Sequence, residues 1–347
     1  MNIQDLIRPT IKALKPYSSA RDEFQGNDDV MVFLDANENP FQNGVNRYPD
    51  PQQRALKSIL TEIKGVSENH ILLGNGSDEV LDLIFRAFCE PNVDNIITLP
   101  PTYGMYSVLA HINAIQIKEV ALNEDFQPNT KAILDAQNKN SKLLFICSPN
   151  NPTANDIDAG KIETLIKTFK GIVIVDEAYI DFSKQESWVS RLVEFPNLIV
   201  TQTLSKAYGM AGIRLGICYA SAEIISVLNR IKPPYNVNAL TQQRAIEQLT
   251  NKEIVKNQID AVLKERDILI SELRAIPFVS KIYPSHANFV LIKVDDATKR
   301  YHELIEKGII IRNRTTQYGC ENCLRLTVGT KEENAKLIRA LSSISKS

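Results

Sequence analysis

The chain has 347 residues, 44% of them apolar, and a formal net charge of −1. That length gives a prior of about two domains, with enough apolar material for a large core and a smaller satellite. A charge so near zero supplies no basic field to draw in nucleic acid or an anionic membrane. An anionic ligand must therefore be held by local arginines and backbone amides.

The opening run Met1-Asn2-Ile3-Gln4-Asp5 carries an early acid and no apolar core, unlike a secretory signal. Residues 1–45 read as an arm with a short helix and a loop, punctuated by Pro40 and then by Pro49 and Pro51. Helical periodicity follows over 54–64, with Leu56, Ile59, Leu60 and Ile63 on one face. Apolar runs at 96–99, 143–146, 172–175 and 198–201 then alternate with helical stretches. Uninterrupted runs of this kind suit a parallel sheet covered on both faces, so 46–240 is expected to be a large α/β domain. All are strand-length and too short to span a bilayer. Residues 241–275 read as one long helix. Strands near 289–293 and 324–328 and helices near 296–307 and 331–344 complete a small α+β domain over 241–347.

Five cysteines are an odd, sparse set that fits a reducing cytoplasm better than a disulfide framework. Cys320-Glu321-Asn322-Cys323 lacks a second pair and reads as coincidence. His70, His111, His286 and His302 show no ligand spacing, and no metal site is expected.

Five short segments carry chemistry. In Thr201-Gln202-Thr203-Leu204-Ser205-Lys206, continuing to Arg214, a strand ends in a hydroxyl-rich turn, a lysine, small residues and an arginine. Pyridoxal 5′-phosphate (PLP) chemistry needs that grouping: an amine to condense with the aldehyde and later act as base, with Thr203, Ser205 and the Arg214 fork available to a phosphate. An exposed lysine in a polar loop is the plainer alternative. Asp176, in Val175-Asp176-Glu177-Ala178-Tyr179, ends a buried strand, where ligands bind in open α/β sheets. It could keep a pyridine nitrogen protonated, with Tyr179 donating to the ring oxygen; a strand-end aspartate capping a loop would look the same. Ser148-Pro149-Asn150-Asn151-Pro152-Thr153 could offer an asparagine amide to that oxygen, or be a simple turn. Leu73-Gly74-Asn75-Gly76-Ser77-Asp78-Glu79 opens a helical run, as an anion-binding helix N-terminus or an ordinary cap would. Tyr103, in Pro101-Thr102-Tyr103-Gly104, could stack on a ring or fill the core.

In the order GNGSDE, PTY, SPNNPT, DEAY, TLSKAYGMAGIR, these motifs resemble the fold-type I aminotransferases over nearly the whole chain. Within them, the histidinol-phosphate aminotransferases are the most similar, through Leu34–Pro40, Arg47-Tyr48-Pro49-Asp50-Pro51, Ile309-Ile310-Ile311-Arg312 and Cys323–Thr330. The resemblance implies a mostly parallel central sheet flanked by helices, a small α+β domain, and PLP as cofactor. It implies that Lys206 carries PLP as a Schiff base and shuttles the proton. Asp176 partners the ring nitrogen, Tyr179 and Asn151 meet the ring oxygen, and Tyr103 stacks. Ser77, Asp78, Thr203, Ser205 and Arg214 hold the phosphate. Tyr48 reaches that phosphate from a second subunit, implying a homodimer, with the 1–45 arm contributing to the small domain and to dimer contacts. Arg325 binds the carboxylate of glutamate or the phosphate of histidinol phosphate, joined by Arg312 and Tyr17, while Asn37 and Glu38 line the substrate side. A solvated loop charge is the alternative for Arg312. The family often has glycine where this chain has Ala154; were positive φ required there, alanine would be strained, and a local adjustment is expected. The same scaffold also serves O-phospho amino acid decarboxylases and aromatic aminotransferases.

Overall fold

The structure, a computed structural model, describes residues 2–15 and 32–344. A seven-stranded sheet contains β1 (Ile71–Asn75), β2 (Asn95–Thr98), β3 (Gln116–Glu119), β4 (Ser141–Cys147), β5 (Ile172–Asp176), β6 (Leu198–Thr203) and β7 (Leu215–Ala220). Its order is β1-β7-β6-β5-β4-β2-β3. Strands β3, β2, β4, β5 and β6 are parallel; β7 runs against β6 and β1 against β7.

The reason for the layering lies in the apolar runs. Along β5, Ile172 and Ile174 pack into one core cluster, and Val173 and Val175 into the other, on the opposite face. Side chains alternate across a strand, so a run apolar at every position must be buried on both faces. Helices Gly76–Phe88, Met105–Ile112 and Ala222–Ile231 contribute to one face; Arg54–Lys64, Ala159–Thr168 and Ala239–Thr250 contribute to the other. Ile3, Leu6 and Ile7 from the chain start are buried in the first of these layers, and the Arg8 N–H donates to the Ala87 carbonyl at 3.0 Å.

A second, antiparallel sheet has the order β10-β11-β9-β8, from β8 (Val279–Ile282), β9 (Phe289–Val294), β10 (Arg312–Asn313) and β11 (Cys323–Thr327). Helices Ala297–Glu306 and Lys331–Ile344 cover it, with Leu269, Leu273, Leu304 and Leu341 buried against its strands. The stretch expected as one long helix is two, Ala239–Thr250 and Lys252–Leu273. Asn251 separates them with φ −91° and ψ 52°, outside the helical region, and its side chain donates to the Glu247 carbonyl at 2.7 Å. Such local bonding by asparagine competes with helix propagation. Among the described residues no helix is long and apolar enough to cross a membrane.

Candidate active site

The carboxyl ends of the parallel strands converge on one cavity of about 520 Å³, open solvent at its mouth included. Asp176 closes β5, Thr203 closes β6, Asn151 follows β4, and Lys206 sits in the turn after β6. The helix that starts at Gly76 brings Ser77 and Asp78, and Arg214 precedes β7. All of these line the cavity with Tyr103, Cys147, Ala178, Tyr179 and Ser205.

Close backbone packing makes the phosphate end. A Cβ on Gly216 would lie 2.2 Å from the Ser77 nitrogen, so only glycine lets the helix N-terminus rest on β7. Gly76 has φ +78°, and a Cβ there would meet the Arg214 guanidinium at 2.5 Å. The Gly76 N–H donates to the Arg214 carbonyl at 2.8 Å. Arg214 itself takes a left-handed φ of 55°. The first N–H groups of a helix have no partner within it and carry its positive dipole end. The Thr203 hydroxyl lies 3.0 Å from the Ser205 hydroxyl and accepts from the Ser205 N–H at 3.1 Å, fixing that turn. The Asp78 carboxylate accepts from the Tyr103 hydroxyl at 3.1 Å and stands 3.5 Å from Arg214.

At the floor, Asp176 is 3% exposed and accepts from the Tyr106 hydroxyl at 2.7 Å and the Ala178 N–H at 3.2 Å. Burial raises its pKa, and these hydrogen bonds oppose the rise. A buried carboxylate without a bound cation is costly. The site thus asks for a group that brings a positive charge or a proton to Asp176. The side chain of Lys206 stays accessible from the mouth, yet desolvation of its amine, then the Arg325 and Arg214 guanidiniums, lower its pKa. Burial raises the pKa of Tyr179, keeping its phenol a donor. Asn150 spends its amide on the Pro101 carbonyl at 2.8 Å and the Thr153 hydroxyl at 2.7 Å, which leaves Asn151 facing the cavity. The Asn151 carbonyl oxygen accepts from Arg325 Nη1, so its NH₂ remains to donate.

Arg325 comes from the small sheet. In the β10–β11 register Arg312 stands directly opposite it. Like charges directly opposite on antiparallel strands destabilise the pair, so the hairpin favours an anion between them.

Other expected residues lie elsewhere. Asn37, Glu38 and Tyr48 line a separate groove with Arg47, Asn238 and Leu240. There Tyr48 stacks on Tyr235, centroids 4.4 Å apart, and the Glu38 carboxylate accepts from Arg47 Nη1 at 2.8 Å and the Tyr48 N–H at 2.6 Å. Within one chain, these three do not meet Lys206. Tyr17 lies outside the described residues. Tyr106 and Gly216 were missed by sequence reasoning. Tyr106 follows Tyr103 by three residues, the spacing of one helix turn, which was an available signal. Gly216, inside a strand-like run, is a usual mark of close backbone approach.

The sequence pattern described as aminotransferase class I and II matches residues 24–341. The chain belongs to this family. Its cofactor is pyridoxal 5′-phosphate, and the chain is an aminotransferase. The chain is 62% identical over 341 residues to a histidinol-phosphate aminotransferase of Flavobacterium johnsoniae, covering 98% of each chain. The crystal structure of the histidinol-phosphate aminotransferase from Clostridium acetobutylicum superposes with a TM-score of 0.81 at 25% identity, covering 87% of this chain and 91% of that one. The enzyme from Sinorhizobium meliloti, solved in complex with pyridoxal 5′-phosphate, shares the fold with a TM-score of 0.78 at 21% identity, covering 86% and 83%.

The cavity fits that cofactor. A helix N-terminus, hydroxyls and an arginine suit its phosphate; the buried Asp176 suits a protonated ring nitrogen; donors Asn151 and Tyr179 suit an anionic ring oxygen; Lys206 suits an aldehyde.

Proposed function

We propose that this aminotransferase transfers the amino group between histidinol phosphate and 2-oxoglutarate, giving imidazole-acetol phosphate and glutamate, as a step of histidine biosynthesis. Arg312 and Arg325 facing each other across the β10–β11 hairpin carry this reading. Histidinol phosphate has an amine and a phosphate but no carboxylate, whereas glutamate has two carboxylates and no phosphate. One site must accept both in turn, and the planar guanidinium fork satisfies carboxylate or phosphate oxygens alike.

When bound, PLP supplies the aldehyde that takes up the substrate amine and the ring that accepts electrons from Cα. The chain's own residues do the rest. Asp176 holds the ring-nitrogen proton, and Tyr106 holds Asp176 in place. Tyr179 and Asn151 donate to the ring oxygen, and Tyr103 covers one ring face. Ser77, Thr203, Ser205 and Arg214 grip the phosphate. Asp78 contributes through its backbone N–H, since its carboxylate is engaged by Tyr103 and Arg214. Lys206 moves the proton between the substrate Cα and the cofactor's C4′, a task that its lowered pKa suits.

The working form is a homodimer with shared sites. Val32, Leu34, Phe41 and Tyr48 leave large apolar side chains exposed along one segment, and a second copy is the partner that would cover them. Tyr48 of each copy then reaches the other's cofactor phosphate, and Asn37 and Glu38 border the substrate. The chain divides into the arm at 1–45, the large domain at 46–240 and the small domain at 241–347, and it works in the cytoplasm.

The test is to incubate the holoenzyme with histidinol phosphate and 2-oxoglutarate while following glutamate and carbon dioxide. Glutamate forming without carbon dioxide is expected. Carbon dioxide release from an O-phospho amino acid would make the chain a decarboxylase. Aromatic amino acids outcompeting histidinol phosphate would make it an aromatic aminotransferase.

A further inference from the structure

The hairpin that carries Arg312 and Arg325 holds a third arginine. The ladder continues past Asn313, with the Arg314 N–H donating to the Cys323 carbonyl at 2.8 Å. Side chains alternate along a strand, so Arg314 returns to the face of Arg312 and Arg325, and it is the diagonal neighbour of Arg325. Such neighbours lie about 7–8 Å apart at Cα, within reach of long side chains. Arg314 and Arg325 are half-buried, and the Nε of each is buried with no hydrogen-bond partner among the described residues. No carboxylate within 4 Å pairs with Arg312, Arg314 or Arg325 among the described residues, although sixteen other basic–acidic contacts are found there. The charged and titratable groups around Arg314 are Arg325, Arg312, Cys320 and Tyr179, and Tyr179 is itself a wall of the cofactor cavity.

We infer that Arg314 is a specificity residue that completes a three-arginine cup for the dianionic phosphate of the amino donor, and that it contributes little to a carboxylate. This rests on the histidinol phosphate reading above. Arg325, bound to Asn151 at the cavity wall, is the fork both substrates share. A carboxylate has two oxygens and one charge, which a single fork satisfies. A phosphate monoester offers three oxygens and close to two charges, which leaves acceptors and charge for further guanidiniums. Clustering also explains the depressed Arg314 pKa of about 10: burial disfavours its charge, and Arg325 and Arg312 repel it. A dianion relieves that repulsion more than a monoanion does.

The test uses holoenzyme and the variants Arg314→Gln and Arg314→Lys, with each half-reaction read by single-turnover absorbance. In Arg314→Gln, kcat/KM for histidinol phosphate should fall about 10- to 150-fold, the loss of one charge-assisted contact, with glutamate changed by less than about 3-fold. The inhibition constant of inorganic phosphate should rise in parallel. A phosphate monoester loses its second charge below about pH 6, so wild-type efficiency for histidinol phosphate should drop there. That drop should flatten in Arg314→Gln and persist in Arg314→Lys, which keeps the charge and loses the fork. Equal effects on the two half-reactions, an unchanged phosphate inhibition constant, or an Arg314→Lys variant indistinguishable from wild type would overturn the assignment. Should Arg314→Gln fail to fold, the Arg314→Lys kinetics and phosphate inhibition decide alone. Wild-type enzyme that does not prefer histidinol phosphate to histidinol would sink the substrate reading instead.

Discussion

The cavity floor and the arginine hairpin solve opposite electrostatic problems. On the floor, built from the large sheet, the ionisable groups have company: Asp176 has the Tyr106 hydroxyl, and Asp78 has Arg214 and Tyr103. On the hairpin, built from the small sheet, burial first and then neighbouring guanidiniums hold Arg314 and Arg325 below the usual arginine range, and neither they nor Arg312 meets a carboxylate among the described residues. The floor is shaped for one permanent guest with fixed chemistry. The hairpin keeps its charge uncommitted, as a site for exchangeable anions requires. Perturbing the floor should therefore stop turnover for every substrate, while perturbing the hairpin should change which substrate is used.

The largest effect belongs to Lys206→Ala. It should lose at least about 10²- to 10⁴-fold in turnover, the usual contribution of a positioned base. Phosphate and ring contacts should still retain the cofactor, seen by absorbance after gel filtration. Borohydride reduction of wild type followed by peptide mapping should place the adduct on Lys206; an adduct on another lysine would overturn the assignment. Asp176→Asn should cost about 10- to 150-fold in both half-reactions, since an amide cannot hold the ring proton by charge. Its stability should move the other way. Asp176 has a raised folded pKa, so the cofactor-free fold binds more protons than the unfolded chain between the two values. Stability is then lost as pH rises through that window, and an asparagine in place of the acid removes the loss. Melts of the cofactor-free variant should show equal or higher stability than wild type at neutral pH, with no difference at low pH.

The arm gives the next effect. If Tyr48 acts on the other subunit's site, mixing inactive Tyr48→Ala and Lys206→Ala proteins should regenerate activity. With free exchange half of the dimers are mixed, and each has one intact site, so about a quarter of wild-type activity returns. Demonstrated exchange with no activity would remove Tyr48 from the partner's site. A smaller shift tests the coupling of hairpin to floor. Lys206 must be neutral to take a proton, so its depressed pKa moves the acid limb of the pH–rate profile down. Desolvation is the main cause and Arg325 the next. Arg325→Gln should raise that pKa and displace the limb upward, beyond its loss of affinity.

The floor was legible in the sequence because the ends of parallel strands gather short contiguous runs, and each run kept its chemical character. Ser148–Thr153, Asp176–Tyr179 and Thr203–Lys206 each follow an apolar strand, so strand and site are read together. What escaped depends on contacts between distant segments. Strand β1 does not stand out as a strand in the sequence because Gly74 and Gly76 flank Asn75; only its pairing with β7 shows it. Gly216 matters through the Ser77 nitrogen, and Tyr106 through Asp176, neither of which a local pattern contains. Edge strand β3 is too polar to stand out. Arg314 belongs to none of the motifs, and only the ladder continuing past Asn313 puts it on the face of Arg312 and Arg325. The Cys320–Cys323 pair is buried beside that hairpin as free thiols.

Ala154 gives the smallest effect and the sharpest test of the join between the two regions. The expected local adjustment does not occur: its backbone keeps φ 67°, the left-handed region where glycine is the natural occupant. The methyl group is fully buried among Tyr179 and Ala207 of the large-sheet half and Ala287 and Phe289 of the small-sheet half. Its carbonyl accepts from the His286 N–H at 2.7 Å, a direct tie between the halves. Ala154→Gly would relieve about 1–2 kcal/mol of steric cost. It would also lose about 0.8 kcal/mol of buried methyl and add about 0.4–1 kcal/mol of unfolded-chain entropy. The terms nearly cancel, so denaturant melts should show a change within about 0.5 kcal/mol. A gain well above that would mean the methyl is poorly packed and the strain dominates. A comparable loss would mean that Ala154 acts mainly as a packing pin between the halves. In that case the substrate preference set by the hairpin should change with it, while cofactor retention on the floor should not.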